Sequence, residues 1–126
     1  MVTFVNAGLE YDAKLFNGVS TAPFKYIALG TGTTAEANDQ TALVTEVSGN
    51  GLSRAEGTAS YEADYIAVVT KTFTCTADSQ TFQETGLLDT AVTGGNMAMR
   101  HLFASVKNID NGEKAIITFK VTKARA

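Results

Sequence analysis

Hydrophobic and polar residues alternate most clearly near the end of the chain, over residues 117–122. A period of two buries one face of a β-strand. The preceding segment, 108–112, contains Asn and Gly residues that tolerate positive φ, and it predicts a hairpin turn after a strand over residues 97–106. A glycine turn at 93–96 pairs that strand with another over residues 85–90. The pattern predicts a meander of three antiparallel strands.

Four further strand patterns precede this meander, over residues 1–5, 24–30, 52–61 and 64–76. The last of these is predicted to be edge-compatible or half-exposed, with threonines on one face. Its other face carries Lys71, Phe73 and Cys75.

The strongest helical pattern lies near the N-terminus. Asn6 is placed to cap a helix in which Leu9, Ala13 and Phe16 recur at helical spacing, and Asn17-Gly18 is placed to end it. A weaker helical turn is predicted over residues 41–47. Six to eight short strands and one short N-terminal helix favour a mainly β fold, an antiparallel β-sandwich or small barrel whose open end the helix covers.

Composition limits the class of protein. The chain has 126 residues, 44% of them hydrophobic and 18% charged, with a net charge of -3, so a single soluble domain over 1–126 is expected. Its scattered Lys and Arg residues give no basic surface for nucleic acid. No segment reaches about 18 consecutive apolar residues, and no signal-peptide pattern opens the chain, so no membrane association is expected.

The sequence contains no motif that predicts catalysis, a metal site or a cofactor. Gly30 and Gly32 stand in a glycine-threonine segment that lacks the ending of a phosphate-binding loop, and we interpret them as structural turn residues, like Gly94 and Gly95. The single Cys75 allows no internal disulfide. A calcium site over 108–113 competes with a plain turn, which explains that segment better.

Four charged residues form a predicted structural set: Glu46, Arg54, Glu84 and Arg100. Glu84 and Arg100 fall on strands joined by the Gly94-Gly95 turn, so they are candidates for an ion pair across that hairpin. Such a pair sets the strand register and does no chemistry.

The alternation around Arg100 places Met97, Met99 and His101 on one strand face, opposite Arg100. Two interpretations stay open for this face. Adaptable methionines together with the histidine are candidates for a subunit contact in a homo-oligomer. Alternatively, the methionines fill the core.

The order of several short motifs resembles a family of bacteriophage proteins. They are Asn-Ala-Gly-Leu (6–9), Tyr-Ile-Ala-Leu-Gly-Thr-Gly (26–32), Thr-Ala-Leu-x-x-Glu (41–46), Leu-Ser-Arg (52–54), Glu-Thr-Gly-Leu-Leu-Asp (84–89) and Gly-Asn-Met-Ala-Met-Arg (95–100). In this order they resemble small tail-fibre-like virion proteins of tailed phages, and they are similar to the attachment domains that begin some tail-collar fibres. The resemblance spans nearly the whole chain.

This resemblance implies a non-enzymatic structural protein of the virion, assembled in the host cytoplasm by surface contacts with other virion proteins. Its partners would be tail or baseplate proteins if it is a tail fibre or baseplate accessory. They would be the major capsid protein if it is a head decoration protein. The sequence departs from complete fibres because it lacks coiled-coil heptads, a repetitive shaft and a receptor-binding tip.

A carbohydrate- or receptor-binding module is a further alternative, because β-sandwiches often present ligands on end loops. Tyr11, Tyr26, Tyr61 and Tyr65 are the candidate stacking residues. Two or more of them exposed on one surface would favour this function.

Overall fold

The computed structural model describes residues 2–125, which form eight strands and one helix. In chain order these are β1 (Val2–Phe4), α1 (Asn6–Phe16), β2 (Tyr26–Gly30), β3 (Ala55–Glu56), β4 (Thr58–Glu62), β5 (Ile66–Thr74), β6 (Gln80–Leu88), β7 (Met97–Ile109) and β8 (Lys114–Thr122). The larger sheet has the order β1-β7-β6-β2-β3 and the smaller sheet β4-β5-β8, with antiparallel pairing throughout. Within the described residues neither sheet closes into a barrel, so the predicted mainly β, sandwich-like fold is confirmed.

Apolar side chains from both sheets form the main core. They are Ile27, Leu29, Leu52, Val69, Phe73, Cys75, Phe82, Leu87, Ala98, Met99, Ile109, Ile117 and Phe119. The alternation predicted for β5 is confirmed, because Phe73 and the following Cys75 are buried whereas Thr72 and Thr74 are exposed. β5 is nevertheless the central strand of its sheet, and β4 and β8 are the edges.

The predicted C-terminal meander is wrong in its last step. β6 pairs with β7 across the glycine turn, but β8 pairs with β5 in the smaller sheet. The turn at 108–112 has Gly112 at φ +87 and carries the chain from one sheet to the other. Gly112 and Glu113 are hydrogen-bonded to Cys75, beside the end of β5. Turn residues predict that a chain reverses, but they do not fix the strand with which it then pairs.

The segment predicted as a helical turn, 41–47, is not helical. Its Val47 N–H donates to the Leu29 carbonyl at 2.9 Å, and Glu46 forms an isolated antiparallel bridge with Gly30. It therefore runs in extended form beside β2. The strand predicted over 52–61 is also shorter than expected, since it divides at Gly57 into β3 and β4.

Helix α1 ends at Phe16 with Asn17 as its C-cap, in agreement with the predicted end at Asn17-Gly18, but the prediction that Asn6 caps its start is wrong. Val5 occupies the N-cap position, without a capping side-chain hydrogen bond, and Asn6 is the first helical residue. The apolar stripe points to solvent, since Leu9 is 55% and Phe16 95% exposed. Gly8 is the buried residue of the helix, and it lies directly against β7, since a Cβ at this position would be 2.6 Å from the Ala98 Cα.

We expect Gly8→Ala to lower the free energy of unfolding by about 1–3 kcal/mol, because the added methyl group displaces the helix from β7. Leu9→Ala, on the exposed side of the same helix, is the control and should change stability by less than about 0.5 kcal/mol in protein dilute enough to be monomeric. Urea denaturation of both variants measures the difference. Equal losses in the two variants would contradict the observed orientation of α1.

Candidate functional site

Two ion pairs hold the long connection between β2 and β3 against the larger sheet. Glu84 of β6 pairs with Arg100 of β7, and Glu46 of the connection pairs with Arg54, which directly precedes β3. We call these four residues the anchor site. All four belong to the structural set that the sequence singled out.

The carboxylate of Glu84 is the centre of the anchor site and is 0% exposed. Its Oε1 accepts hydrogen bonds from the Val44 amide at 2.9 Å and from Arg100 Nε at 2.9 Å. Its Oε2 accepts from the amides of Gly32 at 2.9 Å and Thr45 at 2.8 Å. Four donors from three parts of the chain therefore meet at one side chain, and the carboxylate fixes the connection at its start, Gly32, and in its middle, Val44 and Thr45.

Gly30 and Gly32 are required here because of space. A Cβ at Gly30 would lie 2.5 Å from Glu84 Oε2 and 2.6 Å from the Thr45 carbonyl oxygen, and one at Gly32 would lie 2.6 Å from the Val44 Cβ. Neither glycine is among the residues with positive φ. The sequence interpretation, that they let the chain leave the strand sharply, missed this close approach of the backbone to a carboxylate.

Arg100 is also 0% exposed, and its position follows from the sheet register. Glu84 lies opposite Leu102 and Gly86 lies opposite Arg100, so the ion pair is a diagonal contact on one face of the β6–β7 pair. Arg100 Nη1 donates to Gln40 Oε1 at 3.3 Å, which adds a third point of the connection to the cluster. Gly86, opposite Arg100, leaves room for apolar side chains, since a Cβ there would lie 2.9 Å from Leu43 Cδ2 and 3.2 Å from Met97 Sδ.

Arg54 forms the second half of the anchor site. Its Nε and Nη2 donate to the two carboxylate oxygens of Glu46 at 3.0 and 2.6 Å, a bidentate pair. Its Nη1 donates to the carbonyls of Thr90, Val92 and Gly94 at 3.2, 2.6 and 3.0 Å. One guanidinium group therefore connects the β2–β3 connection with the β6–β7 turn.

The β6–β7 turn contains Gly94 and Gly95, which adopt φ values of +97 and +77. The backbone of this turn needs glycine because the left-handed region is unfavourable for other residues. The carboxylate of Asp89 accepts from the Asn96 amide at 2.7 Å and from its side chain at 3.0 Å. The turn is thus fixed at both ends.

The structure separates the three residues of the candidate interface. In the β6–β7 pair, Leu88 lies opposite Met97 but Leu87 lies opposite Met99, so Ala98 forms a bulge. This bulge turns Met97 away from the face that Met99 and His101 share. Both methionines are buried within the chain, and Met99 belongs to the main core. They pack inside the protein, which favours the interpretation that the methionines fill the core. His101 is partly exposed, 3.5 Å from Glu36 and 4.8 Å from the Phe103 ring centroid.

The hydrogen bonds to the Glu84 carboxylate together decide the direction in which its pKa is shifted. Burial is the largest single influence and would raise this pKa, but the hydrogen bonds from Thr45, Val44, Arg100 and Gly32 together outweigh it and lower the pKa. The carboxylate is therefore ionised at neutral pH. Because four donors already occupy its oxygens, it serves as a structural anion.

No group of three or more His, Cys, Asp or Glu side chains among residues 2–125 is arranged to hold a metal ion. In the segment considered for calcium, Asp110 Oδ1 accepts from the Ser79 amide and Glu113 Oε1 accepts from the Asp110 amide. Those carboxylates stabilise the turn. Over the same residues, no helix is long and apolar enough to cross a membrane.

The sequence did not predict that the backbone amides of Val44 and Thr45 bind Glu84, or that backbone carbonyls surround Arg54. A signal was present, since charged residues interrupt apolar strands at Glu84 and Arg100. That signal predicts a charged partner, but it does not identify the loop atoms that complete the coordination.

The fold and the anchor site together define a β-sandwich-like protein in which the buried charges of Glu84 and Arg100 hold loops in place. The family model described as podophage GP4 fiber I protein gp80 matches residues 11–124, and the chain belongs to this family. It is therefore a tail-fibre-like virion protein of a bacteriophage, as the sequence resemblance indicated. No curated protein and no solved structure matches the chain significantly.

The lowered pKa of Glu84 predicts a specific acid sensitivity. A group whose pKa falls on folding stabilises the fold above its unfolded pKa of about 4.3 and loses that contribution as the pH falls toward the folded value. We expect Glu84→Gln to lose about 3–5 kcal/mol at pH 7, because Arg100 is left buried without its counter-charge. The stability of this variant should also fall less steeply below pH 4.3 than that of the wild type.

Chemical denaturation at pH values from about 3 to about 7 measures both effects, because carboxyl groups titrate within this range. The matched control is Glu56→Gln, since Glu56 forms a half-exposed ion pair with Lys25 at 2.7 Å. That change should alter stability by less than about 1 kcal/mol. A Glu84→Gln variant as stable as the control would contradict the central role of Glu84.

Proposed function

We propose that this protein is a non-enzymatic part of the phage tail, a fibre or baseplate accessory that assembles through surface contacts with other virion proteins. Membership of the fibre family carries this proposal. The anchor site supports it, because its four charged groups are engaged in fixing two loops. Assembly would take place in the host cytoplasm, before the particle is released.

Homo-oligomerisation is also part of the proposal. We place the contact between subunits at α1, not at the methionines. The exposed apolar stripe of this helix continues past its end at Val19, which is also exposed. Glu10 and Lys14 form an ion pair at 2.8 Å on the same helix. An antiparallel helix from a second copy would bring each Glu10 near the other copy's Lys14, so the charges beside the stripe complement themselves.

We expect antibody to this chain, detected with colloidal gold in negative-stain electron micrographs of intact particles, to label the tail or its tip. Preimmune serum is the control. Label spread over the head would overturn the tail position and favour the second virion role, a decoration protein that contacts the major capsid protein. Particles without any label would contradict a virion role altogether.

The proposed carbohydrate- or receptor-binding role is favoured by one observation at the β4–β5 hairpin. Tyr61 and Tyr65 are 71% and 63% exposed, and the Tyr65 amide lies 3.3 Å from the Tyr61 hydroxyl oxygen. Asp64 and Tyr65 both adopt positive φ, at +66 and +69. Such a backbone is strained for a bulky residue, and strain of this kind concentrates at functional loops.

If this hairpin binds sugars, the double variant Tyr61→Ala/Tyr65→Ala should bind an array of purified bacterial surface glycans at least about tenfold more weakly, since the two stacking faces are removed. Val92→Ala is the control, because Val92 is equally exposed elsewhere. Glycan binding that survives the double change, or no binding by the wild type, would remove this candidate function.

A further inference from the structure

The two sheets differ in size, and β8, one of the two edges of the smaller sheet, lies beside an open groove. Five strands lie on one side and three on the other, with β8 as the edge beside the gap. The gap is a groove of about 490 Å³ next to β8, whose lining includes Val2 of β1 and Met99, His101 and Phe103 of β7. A second groove of about 280 Å³ lies further along, between Phe103 and Ala115. Together they form one unfilled strand position, which we call the β8 groove.

The backbone of β8 presents hydrogen-bonding groups to this groove. In an antiparallel ladder successive residues point alternately toward and away from the neighbouring strand. The Lys123 amide donates to Tyr65, and the Ile117 carbonyl accepts from Thr70, so the odd-numbered residues face β5. The N–H and C=O groups of Ile116, Thr118 and Lys120 therefore point into the open side.

The side chains around the groove suit an amphipathic strand. Ile117 and Phe119 of β8 and Phe82 of β6 are buried apolar lining residues, and Phe103 contacts Phe82 with ring centroids 5.8 Å apart. Ile116, on the opposite face of β8, is 69% exposed. A new strand beside β8 would place every second side chain over this apolar lining and the others at the surface.

The charges around the groove are mostly positive. Lys107, Lys114 and Lys120 line it, and among the residues of the lining that the structure describes Glu113 is the one carboxylate. Lys120 also lies 2.9 Å from Glu62, but both side chains are about half exposed, so that pair is weak. The surroundings favour an occupant that carries carboxylates.

A second copy of β8 fits this position poorly. Val2 of β1 and Met99 and Phe103 of β7 line the groove beside β8, so a second copy would have to bring its own three-stranded sheet against the larger sheet. The lysines of two copies would also repel each other. A single extended segment avoids both conflicts.

We propose that the β8 groove binds an extended segment of a partner virion protein, with apolar residues at every second position and acidic residues between them, as a fourth strand of the smaller sheet. This inference rests on the proposed function, in that it assigns the partner to the particle. Strand addition to a free sheet edge is a general mode of peptide recognition, in which backbone hydrogen bonds supply affinity and alternate side chains supply specificity.

The test uses a synthetic peptide as long as β8, nine residues, in which valine and glutamate alternate. Hydrogen exchange followed by NMR on the full chain should slow by about tenfold or more at the amides of Ile116, Thr118 and Lys120, because these amides become hydrogen-bonded. A peptide of the same composition with valines and glutamates in separate blocks should bind more weakly. If both peptides protected these amides equally, binding would depend on charge and not on the alternation of valine and glutamate, and the proposal would be overturned.

Thr118→Pro supplies the decisive variant. It removes an outward N–H from an edge strand, a place where proline is tolerated, so the pairing of β8 with β5 should persist while peptide affinity falls about tenfold or more. Ala59→Pro on the opposite edge strand β4 is the control and should bind normally, since the register makes its N–H outward as well. Loss of binding in both variants, no peptide binding by the wild type, or light scattering that shows dimers lost with Thr118→Pro would overturn the proposal. Peptide binding and tail labelling are separate measurements, so failure of one is distinguishable from failure of the other.

Discussion

The carboxylate of Glu84 is the interaction on which the larger sheet and its connection depend. A buried charge is unfavourable unless hydrogen bonds compensate for its lost hydration, and here three backbone amides and one guanidinium group do so. The same bonds fix residues 31–50 of the connection, in which Leu43 is the one buried apolar side chain. Leu43 adds the main apolar contact, in a small cluster with Ala28, Leu88 and Met97 on that face. Polar geometry therefore orders a segment that hydrophobic burial alone would leave loose.

Period-two alternation predicted most of the strands, because each strand has one buried face and one solvated face. The sequence also marked the anchor site, since Glu84 and Arg100 interrupt apolar runs. The sequence did not predict which strand β8 pairs with or which face of α1 is buried, for two different reasons. Strand pairing depends on which sheet has room for Ile117 and Phe119. The helix orientation depends on one close approach at Gly8, where the absence of a side chain outweighs the apolar stripe of Leu9 and Phe16.

A fibre component must keep its surface shape while its neighbours attach, and the anchor site meets this requirement in a defined way. Arg54 holds the β6–β7 turn through three carbonyl groups, and Glu84 holds the β2–β3 connection through three amide groups. The loops at this side of the sandwich are thereby joined to the strands that carry them. Because a preordered surface loses less conformational entropy on association, such loops favour tight assembly.

The wrongly predicted meander and the β8 groove have the same physical origin. Had β8 paired with β7 beyond residues 99–101, where β1 already pairs, the larger sheet would have gained a strand. Instead the turn at 108–112 takes β8 across to β5, which leaves β8 as an edge and part of β7 beneath an unfilled position. Phe103 and Ile116 remain accessible as a consequence. The chain thus completes the core of its own sandwich while leaving room for one more strand, and that room lies where hydrogen-bonding groups, apolar contacts and positive charge coincide.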